Sequence, residues 1–226
     1  MNILALDTAT EACSAALWCD GQVVAQRFER APRRQAELIL PFCQAVLDTA
    51  GLSPQQLDAI AFGRGPGAFT GVRVAVSVAQ GIAFAADLPV LPISTLAAMA
   101  YGSRRFQAVP QIAVAIDARM DEIYWAGYRR TEAGLEPLMA EQVGAAENVA
   151  MATVAGAWVG VGTGWGRYRQ RLEQRCPVAE CWPEMYPDAV DIAALAAIAW
   201  HKGEAVSPEQ ALPVYLRDRV VAEPSC

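Results

Sequence analysis

The chain reads as a duplicated α/β protein with a mixed sheet in each half, and three observations carry that reading. Residues Leu4–Trp18, LALDTATEACSAALW, lie against Val114–Tyr128, VAIDARMDEIYWAGY. Each is an apolar strand ending in an aspartate, Asp7 or Asp117, then a polar turn and a second strand carrying an aromatic. Each half then offers a later strand, a glycine-rich turn and a helix, around Ala61–Ala85 in the first and Trp158–Tyr168 in the second. Two such units in one chain indicate an internal repeat built on two sheets. The length of 226 residues accommodates two units of about 100 each, enough to bury roughly 70% of the unfolded surface. The halves are placed at 1–105 and 106–226, with a late helix, 191–202, free to pack back on the N-terminal half.

Each element has a local cause. Asn2–Leu6 is an apolar run, and the strands Ala12–Cys19 and Val23–Arg30 flank Asp20-Gly21, a strong two-residue hairpin signal. Leu38, Ile39, Phe42, Ala45, Val46 and Thr49 share one side of a helix, which predicts Arg33–Ala50 as helical with Gly51 as its left-handed C′ residue. Ser53, Pro54 and Gln56 make a capping-box start for a short helix. The strand Ala59–Phe62 enters a loop with Gly63, Arg64, Gly65, Gly67 and Gly71, where missing Cβ atoms let the backbone approach a ligand or another chain. Beyond it Val72, Val74, Val76 and Val78 alternate like a strand, yet Arg73, Ser77 and Gln80 fall at i, i+4 and i+7, one face of a helix. Gly71–Ala86 is therefore expected as a helix ended by Asp87 and Pro89, with those three residues as its narrow solvent face. A helix apolar over most of its circumference needs cover on more than one side, here from the domain core and from a partner. A short strand at Val90–Leu91 and a helix near Thr95–Arg105 close the first half.

Composition removes several classes of function. The apolar fraction is 54% and mean hydropathy is positive, which points to generous cores or a large interface. Net charge is −6 and the pI about 4.9, so the surface as a whole does not attract a polyanion such as tRNA. Arg27, Arg30, Arg33 and Arg34, and then Arg167, Arg169, Arg171 and Arg175, read as solvated arginine faces. The six cysteines, Cys13, Cys19, Cys43, Cys176, Cys181 and Cys226, contain no CxxC and suit buried thiols in a reducing compartment. No basic n-region opens the chain and no apolar run reaches 18 residues, so neither export nor membrane insertion is expected.

The chemistry-bearing candidates are few. No lysine precedes Lys202, so the glycine loop cannot be a P-loop. Gly63, Gly65 and Ala68 formally fit a dinucleotide fingerprint with Asp87 downstream. Three strands and a helix precede that motif, however, and Pro66 removes an amide that pyrophosphate needs. A loop that positions the following helix or a partner is the better reading. His201 is the only histidine, no GxSxG elbow occurs, and a two-histidine metal site is impossible within the chain, so His201 reads as a helix C-terminal cap. Asp117, Asp121 and Glu122 read as structural carboxylates at a strand end. Asp7, Thr8 and Thr10 stand where actin-like and Hsp70-like phosphotransferases carry an Asp-x-Gly-Thr/Ser phosphate loop. Ala9 replaces the glycine, and its Cβ crowds a close backbone contact to phosphate, so this is a degenerate phosphate loop.

ILALDTATEACSAAL, FGRGPGAFTGVRVAVSVAQGIA, IDARMDEIYWAGY, GTGWGRY and PVYLRD (Pro213–Asp218) together resemble the TsaB (YeaZ) family of bacterial tRNA threonylcarbamoyladenosine biosynthesis, from end to end. The resemblance implies an actin-like (ASKHA) fold and cytoplasmic work in moving a threonylcarbamoyl group to the adenosine beside the anticodon of tRNAs reading A-starting codons. It implies a non-catalytic accessory subunit without a metal or cofactor of its own, partnered by the paralogous transferase TsaD and the small ATPase TsaE, and a homodimer when TsaD is absent. The TsaD metal histidines would fall near Ile93–Ala97, where this chain has Ser94 and Thr95. With the periodicity above, the resemblance places the partner interface on the two helices, at Leu38, Phe42, Val46, Val72, Val76 and Ala79, with a nucleotide conceivable at the TsaD boundary. A self-sufficient ATPase or sugar kinase of the same fold is the alternative, and a peptidase a more distant one.

Overall fold

Strand β1 (Asn2–Asp7) is covered on both faces, which explains its nearly unbroken apolar run. Leu4 and Leu6 point to one face and Ile3 and Ala5 to the other, as the two-residue period of a strand requires. The computed structural model describes residues 1–105, 110–132, 134–150 and 156–217; Asp218 and Cys226 lie outside them.

β1 sits at the centre of a five-stranded sheet with β2 (Ala12–Cys19), β3 (Gln22–Arg30), β4 (Ala59–Gly63) and β5 (Val90–Ile93), in the order β3-β2-β1-β4-β5. The β1–β2–β3 meander is antiparallel, and β4 and β5 join it in parallel. The second sheet repeats this plan. β6 (Gln111–Arg119) and β7 (Glu122–Thr131) form an antiparallel hairpin, β8 (Gly134–Pro137) and β9 (Gln142–Ala145) both pair with β7, and β10 (Trp158–Val161) and β11 (Val178–Trp182) add in parallel, giving β11-β10-β6-β7-β8.

The helices follow the same duplication. α1 (Gln35–Ala50) and α2 (Phe69–Ala86) cover the outer face of the first sheet, packing Ile39, Cys43, Val46, Val72, Val76 and Ala79 against Leu4, Leu6, Ile60 and Phe62. α4 (Thr163–Arg175) covers the outer face of the second through Trp165, Tyr168 and Leu172. The closing helix of each half crosses to the other sheet. α3 (Thr95–Gly102) sets Leu96, Met99 and Ala100 on Ile112, Val114 and Ile116 of β6. α5 (Ala189–His201), the late helix, sets Ile192, Ala193 and Ala196 on Ile3, Ala5, Ala59 and Leu91 of the first sheet. The two crossing helices are tied by Asp191 of α5, whose Oδ1 accepts from Arg104 (2.8 Å) and Arg105 (2.7 Å) just past α3.

Local signals explain the ends. Gly51 takes φ +66° and closes α1 through its N–H to the Asp48 carbonyl. Asp87 itself, at φ +55°, is the left-handed cap of α2. Ser53 and Gln56 form the capping box, on a single 3-10 turn. α2 starts at Phe69, two residues before the expected Gly71, and α1 at Gln35. α2 also has the length and hydropathy of a membrane span; Val72, Ala75, Val76, Ala79 and Ala83 fill the core, and 33% of the helix is buried within the chain.

Candidate functional site

The first turn, after β1, is closed from within. Asp7 Oδ1 accepts from the Ala9 N–H at 2.9 Å, and Thr95 Oγ1 lies 3.5 Å from Oδ2. Thr8 Oγ1 donates to the Gly71 carbonyl (2.6 Å), the Ala68 N–H donates to the Ala9 carbonyl (2.7 Å), and Thr10 Oγ1 accepts from the Ala12 N–H (3.3 Å). Asp7, Thr8 and Thr10 are all buried, and burial lifts the Asp7 carboxyl to about 7.

The glycine loop explains this closure. A Cβ on Gly71 would lie 2.0 Å from the Thr8 carbonyl oxygen, and one on Gly67 2.3 Å from that of Ala9. A Cβ on Gly63 would meet the Asp7 carboxylate at 1.8 Å. Gly67 and Gly71 serve backbone-on-backbone packing and Gly63 packs on the Asp7 side chain, all inside the chain. The space that a phosphate needs over the first turn is filled by the loop, and the residues there do not fit a nucleotide phosphate. Arg64 turns to Glu141 at 3.4 Å, where Ser94 Oγ and Tyr128 Oη also bond, joining the first-half loop to the second half. Gly65, at φ +95°, packs under the Val214 carbonyl.

A cleft of about 670 Å³ opens between the halves, bounded by Thr10, Arg33, Phe69, Met120 and the tail Val214–Arg217. Arg119 and Arg217 at its edge are paired. Arg119 bridges Glu11 (2.8 Å) and Asp117 (3.1 Å), Arg167 adds a second contact to Asp117 (3.2 Å), and Arg217 holds Glu122 and the Ala118 carbonyl. Asp117 is thus an anchor between β6 and α4, and Glu122 an anchor for the tail. Arg119, Met120 and Asp121 are all at positive φ in the β6–β7 turn. His201 is exposed at the end of α5 and is not among the residues lining the cleft. Among the described residues, no three His, Cys, Asp or Glu side chains converge as a metal site.

The outward face of α1 and α2 is the second feature, and it corrects the residue assignments made from periodicity. Val46, Val72, Val76 and Ala79 are buried in the chain's own core, because the wide apolar arc of each helix already faces the first sheet. Leu38 and Phe42 are half-buried against that core. The apolar side chains left in solvent are Leu40 at 54%, Phe69 at 41% and Phe84 at 74% exposure. Leu40, Pro54, Ser77, Gly81, Ile82 and Ala85 line a shallow groove of about 430 Å³ between the helices. Gly81 stands mid-helix with no heavy atom within 4 Å of where a Cβ would be. The signal for Leu40 in the sequence is a large apolar residue on the helix face it shares with Glu37, Pro41 and Gln44.

In the expected solvent stripe of α2, Arg73 and Ser77 are exposed and Gln80 is half-buried. Arg73 Nε donates to Tyr215 Oη (2.7 Å) and its guanidinium lies 3.6 Å over the Phe69 ring. Gln80 Nε2 donates to the Pro208 and Ala211 carbonyls, both at 3.1 Å. Two members of the stripe therefore hold the C-terminal tail along α2, and Ser77 alone of the three is left on the groove.

Residues 28–159 match the family described as TsaD, tRNA N6-adenosine threonylcarbamoyltransferase. The tRNA threonylcarbamoyladenosine biosynthesis protein TsaB of Escherichia coli K12 is 44% identical, over 97% of this chain and 96% of its own length. The solved structure of YeaZ from Pseudomonas aeruginosa superposes with a TM-score of 0.90 at 47% identity, covering 95% of this chain and 99% of that one. The activator of 2-hydroxyisocaproyl-CoA dehydratase from Clostridium difficile shares the fold at a TM-score of 0.50 and 12% identity, with 90% of this chain and 98% of that one covered. The two-sheet architecture is actin-like.

Proposed function

The chain belongs to the TsaB (YeaZ) family, and from that membership and the α1/α2 face we propose that it is a non-catalytic subunit of tRNA threonylcarbamoyladenosine formation that acts by pairing with TsaD. The observation that carries the proposal is the contrast between its two features. The first turn, where an actin-like enzyme handles phosphate, is filled by Gly67 and Gly71, whereas α1 and α2 leave an apolar groove lined by Leu40 and the mid-helix Gly81, with Phe84 exposed elsewhere on α2. A mid-helix glycine costs about 1 kcal/mol relative to alanine, a cost that close approach of a partner helix offsets. The groove accepts one helix face of TsaD, and a second copy of this chain occupies it when TsaD is absent. TsaE and tRNA join through the TsaD side, in keeping with a net charge of −6 here. A nucleotide held at the TsaD boundary meets the interlobe cleft, whose rim includes the N-terminal turns of α1 and α2, rather than the filled first turn. The work is cytoplasmic. A self-sufficient kinase finds no support at Asp7, Thr8 or Thr10. Light scattering on the chain mixed with TsaD tests the pairing: a one-to-one complex is expected, and two unassociated species at micromolar concentration would exclude it.

A further inference from the structure

The exposed apolar surface of α2 does not stop at the helix. Eight large apolar side chains are exposed among the described residues, and five of them, Leu40, Phe69, Phe84, Leu212 and Tyr215, lie on α1, on α2 or on the tail held against α2. The tail is a built element. The Val214 N–H donates to the Arg64 carbonyl (2.8 Å), Gln80 holds the carbonyls of Pro208 and Ala211, and the Tyr215 ring packs on Phe69 with centroids 5.5 Å apart. α2 is therefore flanked by α1 on one side and by the tail on the other. Phe84 and Ser77 stand on the ridge between them. Fixed in this way, Leu212 still leaves 64% of its surface in water, an arrangement that the folding of the chain alone does not require.

We propose that the C-terminal segment Leu212–Arg217 is a third element of the partner surface, so that TsaD contacts α1, α2 and the tail together, with Leu212 and the Tyr215 ring as apolar contacts. The inference rests on the pairing proposed above and names a part of the surface outside the two helices. Its argument is continuity. Tyr215 is joined to Phe69 and Arg73 at the start of α2, and Arg217 carries the same segment across the cleft to Glu122 of the second half. A partner seated on α2 and the tail thereby bears on both halves of the chain.

The test uses the full chain with purified TsaD. Leu212→Asp is compared with Phe84→Asp by titration calorimetry, and Leu212→Asn serves as a milder variant should the charge lower the thermal midpoint. The expected result is an unchanged midpoint for the free chain and a tenfold or greater loss of TsaD affinity from the Leu212 change. Independently, benzoylphenylalanine at position 212 should crosslink to TsaD, and the same probe at Val24 on β3 should not. Phe84→Asp weakening TsaD binding while the Leu212 variants bind normally and position 212 gives no crosslink overturns the tail contact and leaves the helix pairing standing. Normal binding by all variants, Phe84→Asp included, overturns the pairing surface itself. Loss of self-association alone, with TsaD affinity intact, assigns the tail to a second copy and also overturns the inference.

Discussion

Gly81 separates what folding needs from what pairing needs, because a single methyl group there should act in opposite directions on the two. It lies in the middle of α2 at ordinary helical geometry, and nothing lies within 4 Å of its missing Cβ. Gly81→Ala should therefore stabilise the isolated chain by about 1 kcal/mol, the glycine-to-alanine difference in helix propensity. In a domain of this size that raises the thermal midpoint by roughly 2 to 4 °C. Pairing should respond otherwise: if a partner helix docks in the groove as proposed, the methyl group overpacks it at a cost of about 1 to 3 kcal/mol, which is roughly 5- to 150-fold in Kd. Gly81→Trp should abolish pairing while the free chain remains folded. Calorimetric titration against TsaD and differential scanning calorimetry of the free chain give the two numbers. A Gly81→Trp variant that binds TsaD with unchanged affinity would refute the close approach, and a Gly81→Ala variant less stable than the parent would refute the open position.

Three further outcomes follow from the same geometry. Phe84 is 74% exposed, so pairing that buries it removes about 150 Å² of apolar surface, worth roughly 3 to 4 kcal/mol; Phe84→Ala should weaken TsaD binding by up to roughly 150- to 800-fold and leave the melting of the free chain nearly unchanged. Gly71→Ala should contrast with Gly81→Ala, since its Cβ would fall 2.0 Å from the Thr8 carbonyl, and urea unfolding should show a loss of more than about 2 kcal/mol. Burial raises the Asp7 carboxyl to about 7 in the fold from an ordinary value near 3.8, so the folded chain holds a proton that the unfolded chain releases. That contribution is complete below the ordinary value and is lost as pH rises through about 7. Asp7→Asn, melted beside the parent from acidic to mildly alkaline pH, should gain on it steadily up to pH 7 or 8, and a constant difference would count against the buried carboxyl.

The repeat was legible because it is written in local pattern. The Asp20-Gly21 hairpin, the matched strands ending at Asp7 and Asp117, and the Arg73, Ser77, Gln80 spacing all depend on neighbours within one element. The helical reading of a valine-rich segment holds, since α2 runs Phe69–Ala86. What periodicity does not convey is what covers a face. Apolarity alone points Val72, Val76 and Ala79 to a partner, but the first sheet covers them. Arg73 is exposed as its polarity predicts and Gln80 is half-buried, but periodicity does not show that their partners Tyr215, Pro208 and Ala211 lie more than a hundred residues away along the chain. The crossing of α3 and α5 between sheets is likewise non-local. β8 and β9 carry no clear alternation, Gly134–Pro137 being only four residues with a glycine and a proline at its ends, and they form because β7 offers an edge. The glycine loop was recognised as a place of close approach, and what approaches it is the chain's own first turn.

On the proposed reading, this chain supports tRNA modification by pairing through α1 and α2 rather than by chemistry of its own. The most direct measurement is threonylcarbamoyladenosine formed on tRNA by purified TsaD and TsaE with the threonylcarbamoyl-adenylate donor, with the parent chain, with Phe84→Asp, and with no chain added. Product should form with the parent, fall to the no-chain level with Phe84→Asp at equal concentration, and recover in part when that variant is raised well above its weakened Kd. Full activity with Phe84→Asp at limiting concentration, or product formed by this chain in the absence of TsaD, would contradict the account.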